Sequence, residues 1–163
     1  IIILVPVVAA FVSKNYQIQR TVVINKPSDA VFNFVKYQKN QDQYNKWIMT
    51  DPGMGKAFKG TDGQVGFVYS WNGKQAGKGE QEIIGIDEGK SVKTELRFKE
   101  PMESKGEAEM IVTPQSGTQT TVTWAMQGES KYPFNFMNLF MDKLLGADLQ
   151  TNLNNLKAVL EKQ

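Results

Sequence analysis

Hydrophobic residues recur along this chain in three rhythms, and each predicts a different kind of element. The C-terminal segment carries the helical one. Apolar side chains fall at Phe134, Met137, Met141, Leu144 and Leu145, then at Leu149, Leu153, Leu156 and Leu160. Steps of three and four are those of a helix with one buried stripe. The predicted helix covers Tyr132 to Gln163, roughly 45 Å of rise, with Phe and Met in its first half and Leu in its second. Gly146 inside it costs about 1 kcal/mol relative to Ala. It marks a bend, a close approach to the sheet, or a seam between a cavity-covering half and a core-packing half.

The second rhythm is the alternation of strands. Tyr16 to Ile24 places Ile18, Val22 and Ile24 on one face. Asn25-Lys26-Pro27-Ser28 ends that strand, with Ser28 as the expected N-cap of a short helix whose stripe is Val31, Phe32 and Val35. A second short helix is expected over Gln41 to Trp47, because Tyr44, Trp47 and Ile48 lie three and four apart. Asp51-Pro52-Gly53 and Met54-Gly55 break it.

Strands then follow one another between turn signals. Val65 to Trp71 leads to Asn72-Gly73, read as a hairpin turn, and Gly79 to Ile86 ends at the turn Asp87-Glu88-Gly89-Lys90. Val92 to Phe98 stops at Glu100-Pro101. Glu107 to Thr113 points Ala108, Met110 and Val112 one way, and Thr120 to Gly128 points Val122, Trp124 and Met126 inward. One strand, two short helices, five or six antiparallel strands and a long helix make a single α+β domain over residues 14–163.

The third rhythm is the unbroken apolar run Ile1 to Val12, interrupted only by Pro6. It is too short to cross a bilayer by itself, which takes about twenty residues. The expectation for residues 1–13 is the end of a longer membrane anchor that holds the domain at a membrane. A secretory-signal remnant and a hydrophobic edge strand are the alternatives.

Composition narrows the chemistry. The chain has 163 residues with neither Cys nor His, so disulfides, Ser-His-Asp and Cys-His catalysis and ordinary zinc sites are excluded. Catalysis would rest on carboxylates, Lys, Tyr or a borrowed cofactor, and no cofactor is expected. A net charge of +2 with scattered Lys argues against a nucleic-acid partner.

Candidate wall residues come from the periodicities. Phe67, Tyr69 and Trp71 share a strand face, Trp124 and Met126 another, and Met137, Phe140 and Met141 lie on nearby faces of the last helix. Glu80 and Glu82 fall in phase with Ile84 and Ile86. They are either a polar anchor or an acid–base group on a buried face, or carboxylates near a strand end that are solvated or paired with Lys or Arg. Arg97 reads as outward, as do Glu107 and Glu109. Gly53–Gly55 and Gly77–Gly79 lack the Walker Lys-Ser/Thr pattern and read as flexible rims.

The order of elements and several local motifs resemble the helix-grip (SRPBCC) superfamily. That superfamily includes START-like lipid carriers, the birch-pollen-allergen fold and bacterial polyketide cyclase/dehydrase-like proteins. The motifs are Ile24-Asn25-Lys26-Pro27 with Val31-Phe32, Tyr44-Asn45-Lys46-Trp47, and Gly77-Lys78-Gly79-Glu80-Gln81-Glu82-Ile83. Leu96-Arg97-Phe98 with Pro101, Gly117 to Trp124, and Met141-Asp142-Lys143-Leu144-Leu145-Gly146 complete the set. The likeness runs from about residue 16 to 162.

The resemblance implies a curved antiparallel sheet of six to seven strands wrapped around the C-terminal helix, with a cavity between them. Together with the periodicities it points to Trp47, Phe67, Tyr69, Trp71, Glu80 and Glu82 as ligand-binding residues. Phe98, Met110, Trp124, Met126, Met137 and Met141 complete that expectation. The implied function is binding of a small hydrophobic or amphipathic molecule, lipid-like or polyketide-like, without catalysis. The alternatives are a cyclase- or dehydratase-type enzyme using Glu80, Glu82 and Tyr69, and a chaperone-cofactor-like interaction module with an open apolar groove.

Overall fold

A computed structural model describes residues 4–163. Its strands are β1 (Asn15–Ile24), β2 (Gly55–Lys59), β3 (Val68–Gly73), β4 (Gly77–Asp87), β5 (Ser91–Glu100), β6 (Ser104–Ser116) and β7 (Gln119–Glu129). They form one antiparallel sheet in the order β1-β7-β6-β5-β4-β3-β2. The helices are α1 (Leu4–Phe11), α2 (Ser28–Val35), α3 (Lys46–Met49) and α4 (Asn138–Lys162), with 3-10 turns at Gln38–Gln43 and Phe134–Met137. This is the expected α+β helix-grip architecture.

Alternation decides which face of the sheet is covered. Ala108, Met110 and Val112 of β6 and Val122, Trp124 and Met126 of β7 are buried. Met110 lies opposite Trp124, and Ala108 opposite Met126. The helix α4 lies against β1 and reaches β7 and α3. Its C-terminal half supplies Leu149, Leu153, Leu156 and Leu160 to the core. Seven strands spaced about 4.8 Å apart make a sheet roughly 29 Å wide, whereas a helix with its side chains is only about 10 Å across. A single helix seated at the β1 edge therefore leaves the inner face of β3 to β6 partly uncovered.

Gly146 has a definite role in this seating. A Cβ there would stand 2.2 Å from Nη2 of Arg20. Arg20 lies on the inner face of β1 and reaches across the helix to Asp142, donating to Oδ1 at 2.9 Å and Oδ2 at 3.0 Å. The close approach, rather than a bend, explains the glycine.

Several sequence expectations need correction. The last helix begins at Asn138, not Tyr132, because Phe134–Met137 winds as a 3-10 turn. The second short helix divides into the 3-10 turn Gln38–Gln43 and α3. Ser28 is the first helical residue; the cap position is Pro27, in extended conformation (φ −59°, ψ 148°), without a side-chain cap bond. The hairpin turn lies at 74–76 rather than Asn72-Gly73, and Gly77 closes it with φ +67°, a conformation Gly adopts at little cost. Strand β2 has five exposed residues, hence no burial alternation by which to recognise it.

The membrane anchor is also corrected. No helix among the described residues is long and apolar enough to cross a membrane. Helix α1 has eight residues and folds against the segment that opens α4. Asn135 Nδ2 donates to the carbonyls of Ala9 and Val12 at 2.7 and 2.8 Å, satisfying carbonyls that a helix end leaves free. Asn138 Nδ2 holds Ser13 O and Lys14 O, each at 2.9 Å. Ile1–Ile3 of the expected anchor lie outside the described residues.

Candidate functional site: an apolar cavity with an amide-lined end

The uncovered inner face borders a partly open cavity of about 540 Å³. Strands β3 to β7 form its floor, the first half of α4 its roof, and the Gln38–Ile48 stretch one end. Three large aromatics are fixed locally. Trp71 of β3 lies over Gly79 of β4, where a Cβ would stand 2.5 Å from the indole, and it meets Phe98 of β5 edge-on at 5.8 Å between centroids. Trp47 follows Asn45, whose Oδ1 accepts the Trp47 backbone N–H at 3.1 Å and so caps α3. The Trp47 indole Nε1 donates to Asp148 of α4 at 3.0 Å. Trp124 packs edge-on against the buried Tyr44 at 6.2 Å. All three tryptophans of the chain therefore face the cavity.

Of the residues expected from sequence, Trp47, Tyr69, Trp71 and Phe98 line the cavity, as do Met110, Trp124, Met126 and Met141. Phe67 does not. It is buried just before β3 and stacks on Phe58 at 6.2 Å, in the packed core. Met137 belongs to the 3-10 turn, outside the cavity and 39% exposed. Phe140 is likewise turned outward.

Glu80 and Glu82 stand on the opposite face of the sheet, beside Arg97. Arg97 Nε donates to Glu80 at 2.8 Å, and its Nη1 reaches Glu82 at 2.8 Å and Glu95 at 2.5 Å. The cause is a β-bulge between Ile83 and Gly85. An extra residue there puts Ile86 in phase with Ile83 and Gln81, and turns Ile84 outward. The hydrogen bond from Arg97 holds the Glu80 carboxyl below its usual range. These acids belong to a surface ion-pair cluster.

The cavity is apolar but not uniformly so. Gln38, Gln41, Asn45 and Gln81 are all buried at its Gln38–Ile48 end. The sequence reading missed them, because Gln in a 3-10 turn follows no hydrophobic period; only Gln81 carries a signal, its two-residue step from Ile83. Titratable groups in the wall are few. Tyr69 donates its hydroxyl to Asp42 at 2.6 Å, and burial together with that bond raises its pKa, so it stays protonated. Asp148 accepts from Trp47 and from Lys46 Nζ at 2.6 Å. The arrangement shields an apolar molecule from water and offers it aromatic faces and amide hydrogen bonds.

Residues 16–161 match the sequence profile of a family described as polyketide cyclase/dehydrase and lipid transport. No curated protein matches the chain significantly. Among solved structures, the chain is similar to an aromatase/cyclase from a Streptomyces species, with a TM-score of 0.71 at 11% identity over 91% of this chain and 94% of that one. Norcoclaurine synthase from Thalictrum flavum, solved with dopamine and hydroxybenzaldehyde, aligns with a TM-score of 0.69 at 10% identity over 96% and 92%. A protein from Thermobifida fusca aligns with a TM-score of 0.69 at 14% identity over 90% and 93%.

Proposed function

Because this chain belongs to the polyketide cyclase/dehydrase and lipid transport family, we propose that it binds a small hydrophobic or amphipathic molecule in this cavity without transforming it. The observation that carries the reading is the partly open space of about 540 Å³, walled by Trp, Phe, Met and Leu. A packed domain core has few voids larger than a water molecule, so a space of this size on the inner face of the sheet is suited to an occupant. Both titratable side chains in the wall, Tyr69 and Asp148, already have hydrogen-bond partners. This favours holding over proton transfer. Fold-level analogy supports occupancy of this space by a small molecule, since norcoclaurine synthase is solved with dopamine and hydroxybenzaldehyde.

A ligand losing about 400 Å² of apolar surface gains roughly 10 kcal/mol gross. Association takes back at least about 4 kcal/mol, which leaves a dissociation constant of about tens of micromolar at its tightest. The test is a fluorescence titration with the neutral apolar fluorophore N-phenyl-1-naphthylamine. Because every tryptophan faces the cavity, saturable quenching of tryptophan emission with a one-to-one endpoint is expected. An unchanged spectrum up to the solubility limit of the probe would sink the proposal.

A further inference from the structure

The amides at the Gln38–Ile48 end of the cavity are oriented by a chain of hydrogen bonds with one direction. It starts at the Trp47 backbone N–H, which can only donate, and which fixes Asn45 Oδ1 as its acceptor at 3.1 Å. The Asn45 amide therefore turns Nδ2 the other way, donating to Gln41 Oε1 at 3.0 Å. That in turn commits Gln41 Nε2, which donates to Gln38 Oε1 at 2.7 Å and to Gln81 Oε1 at 3.4 Å. Both terminal glutamines thus turn their oxygens into the relay, each accepting from Gln41 Nε2.

What they leave over is donors. Among the described residues no hydrogen bond uses Nε2 of Gln38 or Gln81, and neither atom is sealed off from solvent space. Both side chains line the cavity. The backbone beneath Gln38 is pinned as well, since Asp62 Oδ1 accepts its N–H at 2.7 Å. No Lys or Arg lines the cavity among the described residues, and its only carboxylate is Asp148.

Resting on the binding reading above, we infer that Gln38 and Gln81 form a donor-only recognition site. The site selects neutral apolar molecules that carry a carbonyl-type acceptor oxygen, and it binds them with that oxygen at the amide end. A carboxylate would meet no cation there, and a pure hydrocarbon would leave buried donors unpaired. Both are disfavoured. The apolar body then extends along Trp71, Trp124 and Met126 toward α4.

Three probes of nearly equal shape test this: 2-acetylnaphthalene, 2-ethylnaphthalene and 2-naphthoate, each displacing N-phenyl-1-naphthylamine. The ketone is expected to bind about tenfold more tightly than either of the others, the worth of one or two buried hydrogen bonds. In a Gln38→Leu/Gln81→Leu double variant that advantage is expected to shrink to within about twofold, with 2-ethylnaphthalene binding more tightly than before because it no longer leaves donors unpaired. Gln81→Met alone serves the same comparison if the double variant fails to fold. Equal affinities in the unmodified protein, a preference for the carboxylate, or a ketone preference that survives the substitutions would overturn the inference and leave the binding reading standing. Displacement by none of the three would overturn the inference too, whereas failure of N-phenyl-1-naphthylamine itself to bind would overturn the binding reading.

Discussion

Leu153→Ala is expected to lower stability by about 3–4 kcal/mol, read from the shift in a urea unfolding midpoint. Leu153 is fully buried at 0% exposure. It sits midway along the stripe from Leu149 to Leu160 with which α4 clamps the sheet. Truncation removes most of an apolar side chain and leaves a void in a region packed on all sides. The matching change at Leu144, one of the residues over the cavity, is expected to cost less than about 0.5 kcal/mol, because Leu144 is 54% exposed. The pair measures a division within one helix: the second half holds the fold together, and the first half roofs the cavity. A loss below about 1 kcal/mol at Leu153 would contradict that division.

Ala108→Phe is expected to abolish ligand binding and leave the fold intact. Ala108 lies on the inner face of β6, across from Thr94 on β5 and Met126 on β7. All three line the cavity. A phenyl ring placed there occupies space that a ligand would need. The expected result is at least a tenfold loss of affinity for N-phenyl-1-naphthylamine, about 1.4 kcal/mol or more, with the unfolding midpoint unchanged within error. If side chains already filled this space, the ring would instead overpack a core and cost about 1–3 kcal/mol of stability. An unchanged unfolding midpoint with lost affinity therefore separates the open cavity from a filled core, in which the midpoint falls.

Much of this architecture was legible in the residues themselves. The alternation of Ala108, Met110 and Val112 and of Val122, Trp124 and Met126 predicts which side of the sheet is covered, because a strand offers only two faces. The Leu stripe from Leu149 to Leu160 likewise predicts a clamping helix, since burial of one stripe is what drives such a helix to form. The failures have local causes. Strict alternation puts Glu80 and Glu82 in phase with Ile84 and Ile86, but the bulge at Ile83/Gly85 resets the phase, and the alternative reading of both acids as ion-paired is the one the Arg97 contacts match. Helical spacing puts Met137 with Met141, but Met137 ends a 3-10 turn, where three residues per turn, rather than 3.6, rotate the side chain away.

Other features left no periodic trace. The apolar run at the N-terminus has the composition of a membrane segment; the bonds of Asn135 to the carbonyls of Ala9 and Val12, and of Asn138 to those of Ser13 and Lys14 just after it, reveal that its described part folds back on the start of α4. The amide relay is similar. Its direction depends on one backbone N–H at Trp47 and on glutamines from two separate elements, a relation that tertiary contact creates and periodicity does not carry.

The central claim, that an apolar ligand enters the space between the sheet and the first half of α4, is tested most directly by methionine methyl NMR. The chain has seven methionines. Met54, Met110, Met126 and Met141 line the cavity, whereas Met49, Met102 and Met137 are exposed at 50%, 55% and 39%. Titration with N-phenyl-1-naphthylamine is expected to shift the first four methyl resonances together, along one saturation curve, and to leave the other three in place. Shifts confined to Met49, Met102 and Met137 would place the ligand on the surface and contradict the account.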